Sequence, residues 1–174
     1  FLNKEGKFIP APSSVLDQAF GLWKAIEPID YDQDGDLDLL VPNYVEWSRE
    51  KDLALNFTLN GTDRAYGPPK QYAGSQPYLY RNNGDGTFEE VSEASGLHVV
   101  NSATGVPVGK SLAVVPVDVD RDGWIDFIVA NDTTRNFLYR NLGDGTFEEV
   151  GSRFGVAYDD RGQATGAMGI DAAH

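Results

Sequence analysis

The sequence predicts an all-β protein assembled from a repeated unit of about four short antiparallel strands. Three observations point there. "LYRNNGDGTFEEV" at 79–91 returns as "LYRNLGDGTFEEV" at 138–150, an offset of 59 residues, and only Asn83 and Leu142 differ. "DYDQDGDLDLLV", which begins at Asp30, is matched position by position by "DVDRDGWIDFIV" from Asp118. Finally, 19 glycines and 9 prolines in 174 residues cut the apolar runs into pieces too short for ordinary helices.

Each element is read from local pattern. "FLNKEGKF" at 1–8 reads as a worn third copy of the hairpin, with Gly6-Lys7-Phe8 standing where the others have Gly-Thr-Phe. "GLWKAIEPI" and "SLAVVPV" are apolar approaches that lead into the two aspartate runs, and "DLLV" and "DFIV" lead out of them. Four to eight apolar residues bounded by Gly, Asn or Asp are strand signals. "NNGDGT" and "NLGDGT" are hairpin turns, because Gly and Asn accept positive φ. In "TFEEV", Phe88 and Val91 are expected in the core and Glu89 and Glu90 in solvent. "GAMGID" starts a third approach that reaches Asp171, where position 3 of the loop would be Ala173.

The two units are unequal. From Asp30 to Leu79 is 49 residues, from Asp118 to Leu138 only 20, which places an insertion at about 44–72. It contains Tyr44, Trp47, Tyr66 and "YGPPKQY". Two readings apply: a loop packing its own aromatics, or a ligand or partner surface. The whole of 1–174 is read as one domain; because it starts at Phe1 rather than Met, it is read as processed or as a piece of something longer.

The bulk numbers narrow the chemistry. A formal net charge of −13 disfavours nucleic acid and anionic membrane surfaces and favours cations. With 41% hydrophobic residues the chain is no acidic tail, yet no run approaches a membrane span. The absence of cysteine excludes disulfides, thiolate metal sites and a cysteine nucleophile.

The aspartate runs predict cation sites. Numbered from Asp30, carboxylates fall at positions 1, 3, 5 and 9 (Asp30, Asp32, Asp34 and Asp38), with Gly35 at position 6. The second run gives Asp118, Asp120, Asp122 and Asp126, with Gly123 at position 6. Alternating carboxylates let a tight loop wrap one ion, and position 7 (Asp36 or Trp124) offers its backbone carbonyl. Oxygen ligands in a flexible loop suit Ca²⁺, giving two calcium sites. An EF-hand is ruled out: position 12 is Val41 or Val129 rather than Glu, and the residues after position 8 are strand-like instead of helical.

"DYDQDGDLDLLVPN", "PYLYRNNGDGTFEEV", "DVDRDGWIDFIVAND", "FLYRNLGDGTFEEV" and "GQATGAMGID" resemble the FG-GAP/VCBS repeats of calcium-binding β-propellers such as integrin α heads. Within these the likeness is to the acidic ASPIC/UnbV group, which includes cartilage acidic protein. The literal Phe-Gly…Gly-Ala-Pro motif is absent. The resemblance implies a β-propeller of four-stranded antiparallel blades, here a fragment of about three, with calcium loops joining the first two strands of a blade and further blades of the parent chain as neighbours.

The function expected is a non-catalytic, calcium-binding module for extracellular binding or adhesion to a protein or carbohydrate ligand, without membrane insertion. Calcium sites of about 10⁻⁴–10⁻³ M affinity place it in a secreted, periplasmic or cell-surface setting. The alternatives are a polysaccharide lyase-like enzyme or a sugar-binding lectin on the same scaffold, the latter using Tyr66 or Trp47. The catalytic inventory is thin, with His98 and His174 the only histidines. Sequons occur at Asn56, Asn60 and Asn131, the last expected to end a strand.

Overall fold

The computed structural model describes residues 2–9, 16 and 21–172. Strands β1 (Leu2–Lys4) and β2 (Lys7–Ile9) form an antiparallel hairpin closed by Glu5 and Gly6, both at positive φ. Two residues with φ > 0 are what a tight hairpin requires, so the worn third copy keeps its turn.

Two four-stranded antiparallel blades come next. The first contains β3 (Glu27–Ile29), β4 (Asp38–Val41), β5 (Tyr78–Asn82) and β6 (Phe88–Glu90). The second contains β7 (Ser111–Val117), β8 (Asp126–Asn131), β9 (Phe137–Asn141) and β10 (Phe147–Glu149). In both, neighbours in the sheet are neighbours in sequence, the meander of a propeller blade. The fold is therefore the expected one, all-β and a partial propeller. Asn131 ends β8 fully buried, with its side chain bonded to the carbonyl of Arg135 at 2.9 Å.

The core lies where the blades meet. Ile29, Tyr31, Leu40 and Leu79 of the first unit join Phe127, Val129, Phe137, Tyr139 and Phe147 of the second, and Leu97 from the intervening segment completes the cluster. Phe147 is tilted against both Tyr31 (5.8 Å) and Phe127 (5.1 Å). The two copies of "TFEEV" consequently differ. Phe147 and Val150 are buried, whereas Phe88, expected in the core, is only half-buried, and Val91, half-buried too, packs against the core as expected. Glu89 and Glu90 are exposed as expected, but Glu149 is half-buried, paired with Arg135 and accepting from Gly151 N–H at 2.8 Å. The hairpin sequence is the same; the surface it faces is not.

The insertion leaves β4 and returns to β5. It holds a helix, α1 (Arg49–Leu55), where the sequence suggested only loop. Ser48 caps its start, its hydroxyl accepting from Lys51 N–H at 3.2 Å, and Asn56 ends it in the left-handed conformation (φ 42°). Both are standard terminal residues. Seven residues give no readable period, so only the caps signal this helix. A second helical turn, α2 (Gly151–Phe154), comes after β10.

Candidate metal centre

Each aspartate run bridges the first two strands of its blade: 30–38 joins β3 to β4, and 118–126 joins β7 to β8. Gly35 and Gly123 sit at φ 94° and 92°, with open space where a Cβ would stand, so backbone conformation rather than crowding selects glycine. Position 4 is left-handed as well, Gln33 at 60° and Arg121 at 62°. Neither residue type signals this. Two left-handed residues flanking position 5 curl the loop so that alternate side chains turn inward.

The closing carboxylates are the most buried. Asp38 and Asp126 are both fully inaccessible. Asp38 accepts from Tyr31 N–H (3.2 Å) on one oxygen and Asn82 N–H (2.8 Å) on the other. Asp126 accepts in the same way from Val119 and Asn141 N–H, both at 2.8 Å. Burial pushes the Asp38 carboxyl up to about 6, against the pull of its two N–H donors, with the Asp32 and Asp34 charges adding to the rise. Burial raises Asp126 and Asp32 too.

Carboxylate oxygens of Asp30, Asp32 and Asp38 lie within 4.8 Å of one another, as do those of Asp118, Asp120 and Asp126. Asp34 and Asp122 stand outside these triads. Each turns one oxygen back on the N–H two residues on, that of Asp36 or Trp124, at 2.9 Å. The position 7 side chains leave the loop, as a backbone-carbonyl role requires. Asp36 reaches toward Gly84, and the Trp124 indole toward Gly143, in the hairpin of its own blade. Asp171 accepts from Ala172 N–H at 2.9 Å, and Ala173 and His174 lie outside the described residues. His98 is exposed.

The triads fit a cation by one further observation. Among the described residues, one oxygen of Asp30, Oδ1, is buried without a hydrogen-bond partner, while Oδ2 accepts from Gly35 N–H at 3.2 Å. A buried carboxylate oxygen with no donor is costly unless something positive faces it. The second loop has another source of positive charge. Arg140 Nε stands 2.6 Å from Asp120 Oδ2, and its terminal nitrogen 3.6 Å from Asp122. The equivalent Arg81 instead pairs with Glu89 at 2.6 Å.

The repeated "LYRN" asparagine has a role that its sequence did not disclose. Asn82 Oδ1 accepts from Gly84 N–H (3.1 Å), and its amide donates to the Leu37 carbonyl (3.1 Å). Asn141 does the same with Gly143 N–H (3.0 Å) and Ile125 O (3.2 Å). One side chain thus ties each hairpin to position 8 of its loop. The two loops also touch: Gln33 Nε2 donates to the Gly123 carbonyl at 2.8 Å, and Asn141 Nδ2 to that of Tyr31 at 2.9 Å.

The hairpin glycines separate two effects. A Cβ at Gly143 (φ 73°) would come within 2.7 Å of Trp124 Nε1, whereas at Gly145 (φ 85°) it would meet nothing. Both alanine variants carry the strain of positive φ, on the order of 1 kcal/mol. Gly143→Ala should cost about 1–3 kcal/mol more, because the indole must shift. Urea unfolding of the two variants checks this, and equal losses would mean that the indole yields freely.

Comparison with known proteins yields one family match. Residues 118–173 fit the model of the FG-GAP-like repeat, a span that begins at position 1 of the second aspartate loop. No curated protein matches the chain. The segment from Asp118, with its loop, strands β8 to β10 and the hairpin between the last two, is therefore similar to an FG-GAP-type repeat.

Proposed function

We propose that the chain is a calcium-binding, non-catalytic propeller module of the ASPIC/UnbV kind, acting in extracellular binding or adhesion. The observation that supports it is the matched pair of buried-anchored carboxylate triads, one of which holds an oxygen with no partner among the described residues. Asp30, Asp32 and Asp38 would hold one Ca²⁺, and Asp118, Asp120 and Asp126 the other. Asp34, Asp122 and the carbonyls of Asp36 and Trp124 are the further oxygens in reach of a loop that tightens. The ion supplies positive charge and cross-links the two strands that each loop joins. Asp38 and Asp126 are held in place by backbone N–H groups before any ion arrives, so binding reorders mainly positions 1 and 3.

Calorimetric titration of EDTA-stripped protein should find two Ca²⁺ per chain, with weaker uptake of Mg²⁺, which demands a stricter octahedron. Asp32→Ala should reduce the count to one, since the other triad keeps all three carboxylates. No uptake by the unaltered protein would remove the calcium assignment. Loss of both ions from Asp32→Ala would mean that the two touching loops form one site.

A further inference from the structure

The insertion carries a cleft of about 460 Å³ lined by Trp47, Arg49, Asp52, Leu53, Arg64 and Tyr66. A smaller one of about 160 Å³ lies beside it, and Trp47 and Tyr66 wall both. The larger volume is within the range of small-ligand sites, about 300–1,000 Å³. Tyr66 is 89% exposed and Trp47 47%, so much of each ring stays uncovered by the protein's own core. Large aromatics held in water beside a cleft offer flat apolar faces to a ligand.

The polar groups of the cleft are almost all donors. Asp52 is 8% exposed and has both oxygens engaged, one by Arg64 and the other by the Tyr72 hydroxyl at 2.7 Å. It therefore fixes the Arg64 guanidinium without being free to accept from a ligand. Arg64 keeps unused N–H groups on a side chain that is 43% exposed. Arg49 is exposed and, among the described residues, makes no ion pair. A guanidinium only donates, so two of them with an occupied carboxylate call for a ligand rich in acceptors.

Charge agrees. The insertion at 44–72 holds four acids and four bases and is neutral, while the rest of the chain carries the whole net charge of −13. An anion approaching here meets local cations, and repulsion from the acidic remainder fades over a Debye length of about 8 Å.

We propose that this cleft binds a carboxylated pyranose, a uronate unit of an acidic oligosaccharide. The ring stacks on Trp47 and Tyr66, and the carboxylate pairs with Arg49 and Arg64. This deepens the non-catalytic binding reading and rests on it, but it does not use the calcium loops.

The test is titration of the full chain with oligogalacturonate and with the same oligomer fully methyl-esterified, which keeps the rings and loses the charge. Saturable binding of the acid form is expected, about tenfold weaker for the ester and for each of Tyr66→Ala and Arg49→Ala. Melting curves of Tyr66→Ala should match the parent, because the ring is exposed. Four results would overturn the proposal: no binding of the acid, equal binding of the ester, unchanged affinity in both variants, or loss of binding in Asp32→Ala, which would mean that loop-bound calcium bridges the carboxylate. Cleavage of the oligomer would overturn the non-catalytic reading on which it rests. Repeating the titration in EDTA separates the two claims: binding that survives there upholds the cleft whatever the calcium count proves to be.

Discussion

Chelation of calcium should lower the melting temperature by on the order of 10–20 °C. An ion that binds only the native state contributes about 2.7 kcal/mol at a hundredfold excess over its dissociation constant. Two sites double this, and each kcal/mol moves the transition of a chain this long by roughly 2–4 °C. The gap should shrink toward pH 5. Asp38 has a pKa of about 6 in the folded protein, above its ordinary 3.8, so the folded state binds this proton more readily than the unfolded chain. Its contribution to the ion-free protein is full below the ordinary value and lost as pH rises through about 6. The ion-free protein gains from acidification while the calcium complex loses its ligand. Calorimetric scans with calcium and with EDTA at pH 5 and pH 7.5 read both effects, and coincident scans at pH 7.5 would end the proposal that the ions cross-link the strands.

Asp126→Ala should destabilise the protein by about 2–5 kcal/mol even with no calcium present. The two oxygens of Asp126 serve the part-buried N–H of Val119 and the buried N–H of Asn141, and a buried donor left alone costs about 1–3 kcal/mol. Against this stands the relief of a desolvated carboxylate whose pKa burial has raised, which trims the loss without reversing it. Asp122→Ala removes an exposed bond to Trp124 N–H and a long, solvent-screened ion pair with Arg140, and should cost less than about 1 kcal/mol. Urea unfolding in EDTA compares them. Equal losses would show that Asp126 is held in place by the loop rather than holding it.

The sequence made the repeated parts readable and left their environments hidden. Glycine at position 6 and in the two hairpins announces its positive φ directly, so turns and blade order were legible. Gln33 and Arg121 adopt the same left-handed region without any compositional sign, because loop closure imposes it on them. Alternation placed Asp34 and Asp122 among the ligands, but the local bond back to Asp36 or Trp124 N–H competes for their oxygens. Phe88 and Phe147 share one motif and differ in burial, since among the described residues Phe147 packs on Tyr31 of the other blade and Phe88 is not part of the core cluster. Helix α1 escaped because its seven residues are too few to show a period, and the cleft beside it joins residues on both sides of the helix.

The bond from Asn141 to the Tyr31 carbonyl crosses 110 positions of sequence. On a ribosome the chain emerges at about 5–20 residues per second, so the first acidic loop waits at least several seconds for this donor. During that interval its five aspartates face solvent without the second blade, its Gln33 contact or the Phe147 ring over Tyr31. The first acidic loop is made early and finished late, because a strand that appears 110 positions downstream completes it.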